Sequence, residues 1–395
     1  MSTKANPIIN ASHLWPSVAY FFMFSAIAAL YPFLSLYYQS LGLTGGQVGV
    51  LMSISPLVTI FASPLLTGAA DITKRYTLIL LTAILICASL ISLVPMIDSF
   101  WLLLGIVLVF AVFAAPIFPL IDSATLSMLG SRKDRYGRIR IWGTIGWGIA
   151  APIAGEIFQR HELIWMFWIY AGLMLLLLLP ASRLFFDRAS VRAPFWQGMR
   201  TLFTNRQWLI FLSMIFISAI GLSTHSSYLA ILMEDLGAGR GLIGIALLIA
   251  TIAELPIMFF SAKLLNRFRP YGLLILAMAI TGIRCLLYAV AGGTGTILAI
   301  QLLHGLTYPA LWIAGVTYAS QNAPQGLSAT AQGVFSSVLM GLGSATGNFF
   351  GGLLLGRFGV AGMFGIAGVI VLLGLLVLFP LFKRSMMGTY LDSPR

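Results

Sequence analysis

Apolar runs of 20 or more residues recur from one end of the 395-residue chain to the other. Each is long enough to cross ~30 Å of hydrocarbon, which takes ~20 helical residues. Charged residues make up 9% of the sequence, against about 25% in a soluble globular domain. A chain of this kind is a polytopic membrane protein. With no water in the bilayer core to satisfy free N–H and C=O groups, a spanning segment must be a helix or part of a closed barrel. Runs that are continuously apolar, without strict alternation, exclude the barrel. The expected fold class is all-α.

Breaking the sequence at Gly, Pro and charge clusters predicts twelve spans, near 14–40, 47–70, 76–97, 99–127, 137–159, 163–186, 207–233, 241–265, 271–291, 295–320, 327–356 and 359–383. A basic region followed by a short apolar stretch and a small-residue cleavage site is not seen at the N-terminus, so the first helix is expected to act as its own insertion signal. With the N-terminus cytoplasmic, Lys74, Arg75, Arg132, Lys133, Arg135, the segment Arg183 to Arg206, Arg267, Arg269, Lys383 and Arg384 all fall inside. Only Arg160, Arg240 and Arg357 remain outside. The positive-inside rule thus supports an even helix count in a cytoplasmic (inner) membrane, with both termini cytoplasmic. The formal charge of +12 follows from this loop asymmetry and is not a nucleic-acid footprint. Cys87 and Cys285 lie in apolar runs and read as small buried hydrophobes, so neither a disulfide nor a metal site is expected.

The stretch "RLFFDRASVRAPFWQGMRTLFTNRQW" is the one long polar interruption. It divides the chain into six-helix halves at 1–186 and 207–395, joined by a basic cytoplasmic linker at 187–206. The linker is either solvated or laid on the anionic cytoplasmic leaflet. The halves look like a duplication. "LGLTGGQVGV" at 41–50 aligns without a gap on "LGAGRGLIGI" at 236–245, and the same offset places "DITKRY" at 71–76 on "NRFRPY" at 266–271. Two similar halves of this kind predict a transporter with its site between them at the midplane.

These features resemble the major facilitator superfamily along nearly the whole chain. "GAADITKR", with Gly68, Asp71, Lys74 and Arg75, resembles that superfamily's loop between the second and third helices, without its second Gly. The resemblance makes it a conformational loop. "PLIDS" at 119–123 followed by "YGRIRIWGTIGW" at 136–147 is similar to the fourth and fifth helices of the lactose permease and phenylpropionate permease branch of proton symporters. In lactose permease an acid at the Asp122 position and an arginine at the Arg140 position bind the sugar, and a tryptophan at the Trp147 position stacks on it. His304 in "QLLHGLTYP" and Arg284 in "TGIRCLL" match that branch's tenth-helix histidine and ninth-helix arginine. Gln301 and Thr307 stand where lactose permease has a lysine and the proton-carrying glutamate. Together with "AELP" at 253–256 and "HSSY" at 225–228, they look more like the phenylpropionate permease type.

A charge at a helix centre costs about 2.5–3.5 kcal/mol on insertion scales, so each needs a partner, a cavity or a function. The candidates are Asp122, Arg140, Glu254, Arg284, His225 and His304, with Glu156 and Lys263 nearer the span ends. On an ideal helix Arg140, Gly143, Thr144 and Trp147 share one face. Arg138 points elsewhere and can snorkel to the surface. Asp122, on the preceding antiparallel span, is expected within reach of Arg140, as a structural ion pair or as part of a ligand site. Burial favours a neutral Glu254 while a cation such as Arg284 favours its carboxylate, and a group drawn both ways can load and release a proton. Glu254 is therefore the leading proton carrier, with Asp122 and His304 as further candidates. His304 is expected to share a polar face with Gln301, Thr307 and Tyr308. His225 is a further substrate contact.

The expected function is proton-coupled symport, by alternating access, of an aromatic carboxylate, sugar or nucleoside-like solute. Proton-driven export is the alternative. No Gly-x-x-x-x-Gly-Lys-Ser/Thr loop and no His-Glu-x-x-His helix occurs, which argues against an ATP-driven pump and a zinc enzyme. A receptor would be expected to carry larger soluble segments. Small-molecule substrate, protons and lipid are the expected partners of a monomer without nucleic acid, cofactor or metal.

Overall fold

The computed structural model describes residues 7–130, 132, 135–186, 202–323 and 327–391, with the side chains of 7–12, 329 and 383–391 left aside. Most of the predicted linker (187–201) and Lys133 lie outside the described residues, as do the side chains of Lys383 and Arg384.

The described residues form α1 (Pro7–Ser40), α2 (Gly45–Thr73), α3 (Tyr76–Leu93), α4 (Phe100–Ala114), α5 (Ile117–Leu129), α6 (Tyr136–Arg160) and α7 (Trp165–Ser182). After the central segment come α8 (Arg206–Asp235), α9 (Arg240–Phe259), α10 (Ser261–Ala289), α11 (Thr294–Gln301), α12 (Tyr308–Gln321), α13 (Ser328–Ser336) and α14 (Ser344–Leu391). Local sequence explains the punctuation. Pro116 lacks an N–H and interrupts α4 and α5 within one span, Phe100–Leu129. Asn205 caps α8, its side-chain oxygen accepting from Gln207 N at 2.9 Å and Trp208 N at 3.2 Å. Arg269 (φ 55) breaks α10 ahead of Pro270, and Gly359 (φ 70) breaks α14. A π-helical segment, Ser337–Gly343, joins α13 to α14.

Nine helices among the described residues are long and apolar enough to cross a membrane, and the bent pair Thr294–Gln301 and His304–Gln321 makes ten. The break at Gly359 divides Thr330–Phe382 into two crossings. α6, 25 residues long with Arg138 and Arg140 at its start, supplies the twelfth. The fold is thus the all-α, twelve-helix arrangement read from the sequence. Large apolar side chains such as Phe61, Trp101 and Leu376 remain exposed (66%, 75% and 69%), as lipid-facing positions should be.

The helices gather into two compact units. The first comprises Met1–Leu43, Leu57–Ser190 and Gly239–Leu248, the second Thr44–Pro56, Val191–Ala238 and Ile249–Arg395. In the first, α1 packs on α6 and α7, and α3 on α4 and α7. In the second, α14 packs on α8 and α10, and α10 on α12. Phe211 stacks on Tyr318 with centroids 4.5 Å apart, in a core that includes Trp208 and Phe335.

The duplicated glycines do matching structural work. Gly42 and Gly237, equivalent in the repeat, both end a helix with positive φ (76° and 79°), a conformation that strains residues bearing a Cβ. Gly49 and Gly244, equivalent seven residues later, both sit where a Cβ would strike backbone. For Gly244 that backbone is Ala151 and Pro152 of α6, and for Gly49 it is Asn348, Phe349 and Gly352 of α14.

Candidate functional site

In the first unit, polar groups collect where α1, α5 and α6 meet. Asp122 of α5 receives the hydroxyls of Tyr20 and, at 2.5 Å, of Tyr136, both on Oδ1. Arg140 of α6 lies in an aromatic cage. Its guanidinium carbon is 4.1 Å from the Phe24 centroid, 5.3 Å from Tyr20 and 5.6 Å from Phe118. Gly143 opens this slot, because a methyl there would press on Arg140 Nη1 and the Phe24 ring. One turn on, Gly146 lets α6 approach α1 closely enough for Ser25 Oγ to donate to its carbonyl at 3.1 Å.

The expected ion pair is absent. Among the described residues the salt bridges within 4.0 Å are Arg160–Glu156 and His304–Glu254, and Asp122 and Arg140 form none. Two tyrosines satisfy the carboxylate instead, and the cation stands over aromatic rings, where its attraction to their faces replaces part of its lost hydration. Asp122, Arg140 and Trp147 are all half-buried. The sequence reading missed Tyr20, Phe24 and Phe118. The signal for the first two was an aromatic pair at i and i+4 within "YFFMF", facing one way from α1.

The second unit holds a denser cluster, centred on Arg284 of α10, which is 2% exposed. Its Nε donates to Tyr288 Oη at 2.9 Å, and its Nη1 bonds His304 Nδ1 at 2.8 Å and Thr307 Oγ1 at 3.0 Å. Its Nη2 donates to Gln301 Oε1. Thr307 Oγ1 in turn donates to the His304 carbonyl at 2.7 Å. On the far side of the imidazole, His304 Nε2 meets Glu254 Oε1 of α9 at 2.9 Å. The side chains of His304 and Glu254 are 16% and 18% exposed. His225 of α8 stacks on Tyr288, centroids 5.6 Å apart and 4° from parallel, with the His304 ring 5.5 Å away.

Chain geometry explains this convergence. Residues 301–307 do not continue an α-helix. α11 ends at Gln301 and a 3₁₀ turn covers His304–Leu306. With three residues per turn, positions i and i+3 eclipse, so Gln301, His304 and Thr307 line up toward Arg284. Tyr308, the next residue, has its ring beside that of Trp312, centroids 6.2 Å apart. Since guanidinium only donates, Gln301 must turn Oε1 toward Arg284, and its buried Nε2 is left with no hydrogen-bond partner.

The "HSSY" stretch serves two neighbourhoods. His225 faces the Arg284 cluster, while Ser227 Oγ donates to Asn348 Oδ1 at 2.8 Å and Tyr228 Oη to the Asn348 carbonyl at 2.5 Å. Asn348 Nδ2 then donates to the Met52 carbonyl at 3.0 Å. At the loop between α2 and α3, Tyr76 Oη donates to Asp71 at 2.8 Å, Lys74 has φ 59, and Gly68, Asp71, Lys74 and Arg75 form no part of either polar cluster. Glu156 pairs with Arg160 on an exposed surface, and Lys263 is exposed near Phe260. Among the described residues no group of three or more His, Cys, Asp and Glu side chains could hold a metal ion.

The MFS_1 like family matches residues 13–366. The chain is 30% identical over 343 residues to the maltose permease of Geobacillus stearothermophilus, covering 86% of each protein. It is 26% identical over 365 residues to the "Probable 3-phenylpropionic acid transporter" of Escherichia coli (strain K12), covering 88% of this chain and 92% of that one. Among solved structures, the nucleoside transporter NupG superimposes with a TM-score of 0.83 at 18% identity, over 94% of this chain and 99% of that one. A bacterial homologue of the human lysosomal transporter Spinster superimposes with a TM-score of 0.76 at 15% identity, over 98% and 99%. These two likenesses carry the fold. Together with the family match and the twelve-helix architecture, the relatives establish that the chain belongs to the MFS_1 like family and is a multi-pass secondary transporter of the major facilitator type.

Proposed function

We propose that this transporter moves a small hydroxyl-bearing solute together with protons, by alternating access and in the uptake direction. Asp122, Arg140 and Trp147 serve the solute, and Glu254 with His304 serves the proton. The observation that carries the reading is the separation of Asp122 from Arg140. Both are embedded in spans, neither is consumed in an ion pair with the other, and both tyrosine hydroxyls on the acid converge on one oxygen. A solute hydroxyl can donate to the carboxylate and accept from the guanidinium, and hydrogen bonds to charged groups are worth about 1.5–3 kcal/mol each. The Trp147 indole can lie against a sugar or base face. The maltose permease relative supports a sugar. The phenylpropionic acid relative, and the aromatic cage around Arg140, support an aromatic carboxylate as the second reading.

The chemistry needs a group that changes charge inside the membrane. Glu254 fits because its partner His304, 2.9 Å away, can bond to it with or without its proton. The basic loops support a cytoplasmic position for both termini. The test is uptake of labelled sugars, nucleosides and aromatic acids into proteoliposomes with and without an inward proton gradient. A gradient-driven accumulation that Glu254→Gln abolishes, with solute exchange at equal concentrations retained, is the expected result. Uptake of every solute in the panel that ignores the gradient overturns proton coupling.

A further inference from the structure

The cluster around Arg284 has a direction built into it. Guanidinium has five N–H donors and no acceptor, so every group it touches must accept. Gln301 Oε1 accepts, and the hydroxyls of Tyr288 and Thr307 can each accept and still donate onward. His304 has less freedom. Its Nδ1, 2.8 Å from Arg284 Nη1, must present a lone pair. A neutral imidazole with an unprotonated Nδ1 carries its proton on Nε2, the nitrogen that faces Glu254 Oε1 at 2.9 Å. An imidazolium would need a proton on Nδ1 as well, aiming one donor at another.

We propose that Arg284 locks His304 in the neutral Nε2–H tautomer, making it a fixed donor to Glu254, and that Glu254 alone takes up and releases the transported proton. The inference rests on the proton-coupled reading above and assigns Arg284 as a positioning residue. The step balances simply. A hydronium ion gives its proton to Glu254 Oε2: one O–H bond breaks on the hydronium, one forms on the carboxylate, and water and a neutral acid result, with release the reverse. Oε1 keeps accepting from Nε2–H throughout. The imidazole gains and loses nothing, but its bond to Glu254 changes from charge-assisted to neutral and weakens. The ionisable groups around His304 are Glu254 of α9, Arg284 and Tyr288 of α10 and His225 of α8. His225 stacks against Tyr288 rather than bonding to the carboxyl. Thr307, with its hydroxyl accepting from Arg284 and donating to the His304 carbonyl, cannot carry a proton in place of Glu254.

The test is nitrogen NMR on protein labelled at its four histidines and held in lipid bilayers, with the His304 signals assigned by their loss in His304→Gln. From about pH 5 to about pH 8, where a free imidazole changes charge, His304 should keep one protonated and one lone-pair nitrogen, with the proton on Nε2. In Arg284→Met the ring should titrate. A transport arm reads the same idea without that variant. His304→Gln still offers an acceptor to Arg284 and a donor to Glu254, and should keep proton-driven uptake within about tenfold of the parent, whereas His304→Leu should lose it. An imidazolium or an Nδ1–H ring in the parent protein overturns the lock, as does a dead His304→Gln that binds solute normally. A locked ring in a protein whose uptake ignores the proton gradient overturns the assignment of the moving proton to Glu254, because the coupled reading has itself failed.

Discussion

The guanidinium carbon of Arg140 stands over the ring of Phe24, 4.1 Å from its centroid. This contact sets a cation inside a membrane-spanning bundle without spending its N–H edges on an internal carboxylate. Those edges are what a solute would need, and removing the ring should loosen their aim. Phe24→Ala is expected to weaken solute binding by about 0.5–2 kcal/mol, the range of a cation–π contact. Arg140→Lys keeps the charge and loses the planar fork, and should weaken it at least as much. Equilibrium binding of labelled solute to detergent-solubilised protein reads both, and a parent-like affinity in Arg140→Lys removes Arg140 from the solute site.

Asp122 depends on two hydroxyls that arrive from different helices. Tyr20→Phe and Tyr136→Phe each remove one donor to the same oxygen, and each should lower solute affinity by about tenfold as the carboxylate loses its fixed orientation. Asp122→Asn keeps an acceptor for both tyrosines, so the protein should fold and melt like the parent while affinity falls. Loss of folding in Asp122→Asn, with affinity per folded molecule unchanged, would make the acid purely structural.

The paired glycines predict a stability contrast. Gly244→Val drives a side chain into Ala151 and Pro152 and should cost about 1–3 kcal/mol or more by overpacking. Gly68→Ala meets nothing within 4 Å and should leave the protein unchanged. Apparent melting temperatures in detergent compare them. Equal behaviour of the two variants would mean that the close approach at Gly244 does not exist.

Asn348 is 4% exposed and ties α8 and the first turns of α2 to α14 through Ser227 and the Met52 carbonyl. Asn348→Leu removes the donor to the buried Met52 carbonyl, and a buried acceptor that loses its partner costs about 1–3 kcal/mol. Faster thermal inactivation than in Ser213→Ala, which removes an exposed hydroxyl bonded within its own helix, is the expected outcome.

Much of the site was legible as residue identity but not as partnership. Asp122, Arg140, Glu254, Arg284 and His304 announce themselves because charge in a span is costly and therefore rare. The pairing of Asp122 with Tyr20, 102 positions away in sequence, leaves no mark in local pattern, since a tyrosine on an apolar helix reads as ordinary packing. The 3₁₀ turn at His304–Leu306 is equally silent in the pattern, because an apolar span reads as one continuous α-helix.

The sequence by itself determined the twelve helices and the duplicated glycine signature. Hydrocarbon thickness and the need to satisfy every backbone group in the membrane act on each segment in turn. Tertiary structure alone decided that Arg140 would rest on rings while Asp122 took two tyrosines, and that Arg284 would reach Glu254 only through His304. Those outcomes depend on which helix faces stand within about 3 Å of one another, a distance at which hydrogen-bond direction chooses the partner. Charge and spacing along one chain cannot choose it.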